Sequence, residues 1–218
     1  MYIEDIGIFN SADFGITIGG LIGGKLDKSI QDRIGSHYPG KYGSYSFGVY
    51  NGAGYHDNEF NNNKTFEGRL TLRPLPQFVP GFQLSYSTAI GKANIEEGSG
   101  DFNMHLFYLS YENQFLTLSG QIYTGIGDTY GRYYIDGEPF ANKGYSFFGE
   151  FRIPRSSFGL LGRYDMFDSE QIPIYERTSY FTGVSYRFLK NKLLLYYSRD
   201  ILIDDKEEFL ELVLEVAF

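Results

Sequence analysis

The end of the chain alternates between apolar and more polar residues with a period of two: Leu210, Leu212, Leu214, Val216 and Phe218 are separated by Glu211, Val213, Glu215 and Ala217. A β-strand, whose side chains point alternately to opposite faces, has this period, whereas a helix does not. The alternation predicts an all-β chain in which each strand has one apolar and one polar face. It recurs at 14–19, 44–49, 66–73, 82–90, 116–122, 145–153, 160–166 and 180–188.

The charged residues of the predicted strands lie on the face opposite the apolar side chains. A charge that faces lipid at mid-depth costs roughly 2–4 kcal/mol, and selection against that cost leaves this pattern. In a barrel the charged face is the interior. The predicted pore-lining residues are therefore Glu67, Arg69, Arg73, Glu150, Arg152, Arg163, Asp165 and Arg187.

Two predicted strands do not have a distinct apolar face. Residues 102–111 and 193–198 are largely apolar in both phases. The period therefore leaves open which side of each strand faces lipid.

Composition favours a membrane-spanning sheet. The chain has 218 residues, which corresponds to one domain over 1–218, and 18% of them are aromatic. Aromatic residues suit both strands and the girdles of membrane barrels. No stretch approaches the roughly 18 consecutive apolar residues of a membrane helix, so a helical membrane protein is excluded. The net charge of −8 argues against a nucleic-acid partner.

The predicted connections alternate between long and short. Transmembrane barrels have short periplasmic turns and longer extracellular loops, whereas a soluble sandwich has no reason to alternate in this way. The long connections are 51–64, 91–101, 127–142, 168–176 and 199–208, and the short ones are 75–80, 113–114, 154–157 and 189–191.

Residues 22–41 break this alternation, because a periplasmic turn is expected there and the segment is long. Within it, 25–34 predicts a short polar helix. The segment is either a plug or a periplasmic foot, and the sequence does not choose between them.

The pattern gives eleven strands from Asp13 to Phe218, whereas single-chain bacterial barrels have an even number. Residues 2–9 could supply a twelfth. The predicted fold is an antiparallel transmembrane β-barrel of about 12 strands, or the closing strands of a 16-stranded porin, which needs roughly 300 residues. Residues 1–12 do not resemble a signal peptide, so either a signal was removed or the chain starts inside a longer gene.

Four passages occur in an order that resembles the phosphate-selective porin O/P family. Residues 45–52 (YSFGVYNG) precede an Asn-rich loop and 66–74 (FEGRLTLRP). Residues 158–168 (FGLLGRYDMFD) and 183–186 (GVSY) follow, before a last strand that ends in Phe218. The resemblance runs from about residue 13 to the end and corresponds to the C-terminal half or so of a full member.

The resemblance implies a porin in the bacterial outer membrane, often a homotrimer, that contacts lipid and lipopolysaccharide. It also suggests small anions such as phosphate among the solutes. Phosphate selectivity in that family uses a ladder of arginines and a lysine cluster. Here the inward basic residues are mixed with Glu67, Glu150 and Asp165, and no such ladder is visible.

The residues favour neither catalysis nor a metal or cofactor site. The only histidines, His37, His56 and His105, are scattered along the chain, and there is no cysteine. A Ser–His hydrolytic site or a transition-metal site needs such side chains close together. An acidic group, Asp204, Asp205, Glu207 and Glu208, could bind Ca²⁺ or bridge lipopolysaccharide, but a solvated loop explains it more simply.

Three functions are compatible with these patterns. The first is a passive diffusion channel for small hydrophilic solutes or ions, lined by the inward charges and narrowed by residues 127–142 folding inward. The second is a sealed structural or binding barrel in which those charges pair with each other and the extracellular loops act. The third is a soluble β-sheet protein with its apolar face turned inward, against which the loop alternation and the aromatic excess argue.

Overall fold

The computed structural model of the chain describes residues 4, 6–9, 13–34, 40–54, 58–95, 100–169, 176–202 and 205–216. Predictions about His37, His56, Asp204, Ala217 and Phe218 lie outside these residues.

One antiparallel sheet of eleven strands makes up most of the described structure. Each strand pairs with the next sheet strand along the chain, and a separate two-stranded hairpin lies in one of the connections. The prediction of an all-β, antiparallel fold is confirmed. The sheet contains β1 (Gly15–Ile22), β2 (Gly43–Tyr50), β3 (Thr65–Leu72), β4 (Phe82–Lys92), β5 (Asp101–Glu112), β6 (Leu116–Ile126), β9 (Ala141–Arg152), β10 (Phe158–Ser169), β11 (Arg177–Phe188), β12 (Asn191–Leu202) and β13 (Asp205–Glu215); the hairpin is β7 (Tyr134–Ile135) and β8 (Glu138–Pro139), and the helix is α1 (Lys28–Ile34).

The sheet has an apolar face that is exposed, which we call the outer face. Ile122 is 56% exposed there and Leu212 is 67% exposed. Soluble proteins bury such side chains, so a sheet in water would have to cover this face. The outer face includes Ile16, Phe47, Phe66, Ile90, Phe107, Ile122, Phe147, Leu160, Val184, Leu195 and Leu212.

The opposite face, which we call the inner face, is mostly polar and largely covered. Gln121 is 7% exposed and Ser185 is fully buried. Buried polar groups cost free energy unless they are hydrogen-bonded, so this face has to satisfy them internally. The inner face includes Thr17, Arg69, Ser85, Met104, Gln121, Glu150, Asp165 and Ser185, and their alternation with the outer-face residues agrees with the predicted phases.

The sheet curls so that its inner face is concave. β9 and β12 are three places apart in the sheet, which would separate them by about 14 Å if the sheet were flat. Nevertheless, Lys192 Nζ on β12 lies 3.0 Å from Glu150 Oε1 on β9. The rings of Tyr123 on β6 and Phe167 on β10, two places apart, have centroids 6.2 Å apart. Only a curled sheet brings these side chains together.

The curl does not close the sheet on itself within the part of the chain that the structure describes. There β1 pairs with β2 alone and β13 pairs with β12 alone. Every residue of β13 is exposed, on both faces. The eleven strands therefore form an open, curled sheet with two free edges.

The prediction of a twelfth strand at residues 2–9 is wrong for the part of that segment that is described. Residues 4 and 6–9 lie outside the sheet. Ile6 and Ile8 are instead buried among aromatic side chains of the inner face. Ile6 and Ile8 stand at alternate positions, as two residues on one face of a strand would. The period alone therefore could not distinguish a strand from this buried segment outside the sheet.

The alternation of connection lengths is less regular than predicted. Residues 127–140 form a long connection, and 189–190 a short one at the other end of the sheet. However, only 203–204 separate β12 from β13, so the long loop predicted at 199–208 is wrong. Charged residues in that stretch continue the strands: Arg199 pairs across the sheet with Glu208.

Residues 22–41 contain the predicted helix, although α1 starts later than expected, at Lys28. Lys25 and Gly40 form an isolated bridge that keeps the register of the Ile22–Gly43 pair. The described part of the segment thus prolongs the β1–β2 hairpin beyond the end of the sheet, which favours a foot over a plug. Among the described residues, no helix is long and apolar enough to span a membrane.

Candidate functional site

The inner face of β9–β12 is held together by an ion network centred on Glu150. This carboxylate is 5% exposed, and Lys192 Nζ lies 3.0 Å from it. Guanidinium nitrogens of Arg187 and Arg152 lie 3.5 Å and 3.8 Å away, and the Ser185 hydroxyl donates to it at 3.2 Å. The buried carboxylate of Glu150 thus lies within ion-pair distance of three cationic side chains. The network connects β9 with β11 and β12 across the concave side of the sheet.

Arg152 ties the same network to the turn between β5 and β6. Its guanidinium donates to the Asn113 carbonyl at 2.6 Å and to the Thr117 hydroxyl at 2.7 Å. It also lies 3.4 Å from Glu112. These contacts make Arg152 a structural crosslink at one end of the sheet.

Two further ion pairs lie towards the other end of these strands. Arg163 Nε lies 2.8 Å from Asp165, two residues along β10, and Ser179 donates to the same carboxylate. Arg177 on β11 makes a two-pronged pair with Asp200 on β12, with one of its hydrogen bonds at 2.8 Å. A guanidinium that engages both carboxylate oxygens gives directional as well as electrostatic stabilisation.

Glu67 and Arg69 occupy a different environment on β3. Together with Tyr50 and Tyr108 they line an inner-face pocket of about 460 Å³. Within the described ranges, no cation lies within 4.0 Å of the Glu67 carboxylate and no carboxylate lies within that distance of Arg69. The pocket therefore holds one carboxyl and one guanidinium group that, among the described residues, no group of opposite charge contacts.

Arg73 was predicted to line the pore but lies just beyond the end of β3. It is 1% exposed and donates to the Gly40 carbonyl at 2.5 Å. Burial lowers the pKa of its guanidinium from the ordinary value. Arg73 thus anchors the extended β1–β2 hairpin to the sheet, away from the pocket that holds Glu67 and Arg69.

The middle of the inner face is covered by an aromatic and aliphatic cluster. Residues 127–140 contribute Tyr133 and Phe140, and the segment 6–9 contributes Ile6 and Ile8. Tyr133 makes edge-on contacts with Phe140 and Phe167, with centroids 5.6 Å and 5.4 Å apart. The sheet side of the cluster is formed by Ala89, Phe102, Met104, Leu106, Tyr123 and Phe167.

Asp128 holds the inward-folded connection in shape. It is fully buried and accepts hydrogen bonds from the backbone N–H groups of Arg132 and Tyr133, at 2.7 Å and 3.0 Å. The Arg132 side chain pairs with it at 2.9 Å and also donates to the carbonyl of Gly7. The inward folding predicted for 127–142 is thus present, and Asp128 stabilises it.

Tyr134 pins the same connection to β5 by donating to the Asp101 carbonyl at 2.8 Å. Burial raises the pKa of its phenol, and the charges of Asp128 and Asp101 raise it further. The tyrosine therefore stays a neutral donor at any physiological pH.

The cluster explains why residues 102–111 are apolar in both phases. Phe102, Met104 and Leu106 pack inward under the cluster, while Phe107 and Leu109 belong to the exposed outer face. His105 shares the outer face with Tyr86, whose hydroxyl lies 2.7 Å from His105 Nδ1.

Sequence reasoning missed Lys192, Asp128, Arg177 and Asp200. Lys192 lies on β12, whose phase could not be assigned, whereas Asp128, Arg177 and Asp200 were placed in or next to loops. An alternation pattern gives the face of a residue but not the distance across the curl, so it could not identify these partners.

The described residues contain no cluster of three or more potential metal ligands. The chain as a whole matches no protein-family model, and a search of curated proteins likewise finds no match.

Proposed function

We propose that this chain forms the wall of a β-barrel channel in the bacterial outer membrane, through which small hydrophilic solutes or ions diffuse without catalysis. The proposal rests on the burial pattern of the sheet, which is the reverse of that in a soluble protein. Its apolar face is exposed and its polar face is largely covered. Lipid can cover an exposed apolar face at no cost, whereas water cannot. A sheet that is apolar outside and polar inside is the arrangement expected of a membrane barrel.

Closure of the barrel requires at least one further strand. In an antiparallel sheet of eleven strands, β1 and β13 run in the same direction, so they cannot pair with each other as antiparallel neighbours. An odd number of additional strands between them restores both the antiparallel order and an even total. The two free edges and the exposed faces of β13 support this arrangement.

The connection 127–140 narrows the proposed channel. Its aromatic residues cover the inner face near β5, β6 and β10, so that solutes pass beside the cluster and over the polar wall of β1–β4. The pocket with Glu67 and Arg69 lies on that wall and contains the charges most able to act on a passing solute.

Membership of the phosphate-selective porin O/P family remains a hypothesis that rests on the four sequence passages. A phosphate pathway needs arginines free to bind the anion. Arg152, Arg163 and Arg187 are engaged by Glu112, Glu150 or Asp165. Strong phosphate selectivity is therefore not part of the proposal.

Single-channel recording tests the proposal. The detergent-refolded chain is added to a planar lipid bilayer under a salt gradient, and folding is checked by far-UV circular dichroism. Discrete, long-lived current steps are expected, with a small reversal potential because the free charges of the wall have both signs. A chain that is monodisperse in buffer without detergent contradicts the membrane assignment.

A sealed structural barrel is the second candidate, and the Glu150 network and the aromatic cluster favour it. Both fill the concave side of the sheet with protein groups that satisfy each other. A folded, membrane-inserted protein that gives no current steps excludes an open channel and leaves this alternative or a sheet that has not closed. The extracellular connections, such as 51–64, would then carry the function.

A further inference from the structure

We propose that the pocket on the inner face of β1–β5 selects small zwitterionic solutes of the amino-acid or dipeptide class over neutral sugars and over phosphate. The inference rests on the proposed function, because it names the solute that the channel prefers.

The two unneutralised charges of the pocket carry the inference. Glu67 and Arg69 are two residues apart on β3, so both side chains point into the pocket from positions about 7 Å apart. Elsewhere on the inner face Glu150, Asp165 and Asp200 are each in contact with a cation. An ammonium group can pair with Glu67 while a carboxylate of the same molecule pairs with Arg69.

A second carboxylate lies close to the Glu67 end of the pocket. Asp13 and Glu67 line one small cavity beside the pocket. Asp13 is held there by hydrogen bonds from the backbone N–H groups of Phe14 and Gly52. Two carboxylates at one end and one guanidinium at the other disfavour a dianion such as phosphate, because the carboxylates repel it.

The rest of the lining suits a small polar solute. Hydroxyl groups of Ser46, Ser87 and Tyr108 surround the charges, and Phe9 closes one side. Some hydroxyls already have protein partners: Thr17 bonds Tyr50, and Ser85 bonds Thr71 at 2.9 Å. Neutral hydroxyls alone would serve a sugar equally well, so the pair of charges makes the distinction.

Osmotic swelling of proteoliposomes tests this preference. Vesicles of phosphatidylcholine and phosphatidylglycerol that contain the full chain are diluted into iso-osmotic glycylglycine, arabinose or potassium phosphate. Glycylglycine is expected to enter faster than arabinose, which has a similar size, and faster than phosphate. In Glu67→Gln and in Arg69→Gln the ratio of the glycylglycine rate to the arabinose rate is expected to fall about tenfold, the scale of one charge-assisted hydrogen bond.

Matched controls remove the same charges outside the pocket. Glu59→Gln changes an exposed carboxylate that pairs with Lys64, and Arg155→Gln changes an exposed arginine in the β9–β10 turn. Both controls are expected to keep the wild-type ratio. If arabinose or phosphate enters as fast as glycylglycine, or if the controls shift the ratio as much as the pocket variants do, the inference is overturned while the channel stands. If folded protein admits none of the three solutes, the proposed function itself fails.

Discussion

The inner face of the sheet contains two regions with similar charged residues and opposite arrangements. On β9–β12, Glu150 is buried and in contact with Arg152, Arg187 and Lys192. On β3, Glu67 and Arg69 are more exposed and have no such contacts within the described residues. The first region uses its charges to hold strands together, whereas the second leaves them available to a solute.

The difference teaches that an inward charge is not by itself a pore-lining charge. Removing a buried ion from water costs several kcal/mol, which only close partners offset. A partly solvated charge keeps its water and needs no partner. Burial therefore separates structural from functional charges on a face where the sequence pattern treats them alike.

Glu150→Gln tests the structural region and is expected to have the largest effect. The change leaves three cations around a neutral amide, and we expect it to lower the free energy of unfolding by roughly 3–5 kcal/mol. Urea unfolding in detergent, followed by far-UV circular dichroism, measures the loss. An unchanged midpoint would show that the network does not hold the sheet.

Ile122→Arg tests whether the outer face meets lipid. In the middle of β6 an arginine on a lipid-facing position is expected to cost roughly 2–4 kcal/mol in vesicles. Leu189→Arg is the control, because Leu189 is exposed in the β11–β12 turn at the end of the sheet. Equal stability of the two variants in vesicles would argue against a membrane-embedded face.

Asp128→Asn tests the inward-folded connection. The amide nitrogen cannot accept hydrogen bonds, so about 1–2 kcal/mol of local stability is expected to be lost. The connection should then be cut faster by protease, and single-channel conductance should rise. Asp136→Asn, at the exposed tip of the β7–β8 hairpin, should behave like the wild type in both assays. A loosened connection with unchanged conductance would show that 127–140 does not narrow the path.

Glu67→Gln, the same substitution as at Glu150, is expected to have the smallest effect on stability, within about 0.5 kcal/mol. It should nevertheless move the reversal potential towards anion preference, and Arg69→Gln should move it towards cation preference. If Glu67→Gln destabilises the fold as much as Glu150→Gln does, the contrast between the two regions disappears.

Much of the fold could be predicted because the strand period separates the two faces. The exposed Phe47, Ile122 and Leu212 lie where the alternation placed them, and the helix lies within 22–41 as expected. The predictions for 2–9 and 199–208 are wrong where these segments are described. Isolated isoleucines satisfy a strand pattern outside a sheet, and charged residues can continue a strand at its edge.

The candidate site was only partly predictable. Glu67, Arg69 and Glu150 were assigned to the inner face, but nothing in the pattern distinguished their roles. Arg73 follows Glu67 and Arg69 with the same period of two in the sequence, yet it anchors the β1–β2 hairpin. The partner of a buried charge depends on strands that are far apart in sequence and are brought together by curvature.

The sequence by itself determined that the chain is a sheet with one face for an apolar surrounding and one for polar groups, because side-chain direction along a strand is a local property. Tertiary structure decided which inward charges are neutralised, because that depends on the curl that places Lys192 beside Glu150. It also decided that residues 6–9 and 127–140 cover the inner face. This cover explains why β5 has apolar side chains on both of its faces. These contacts are long-range, and no local pattern encodes them.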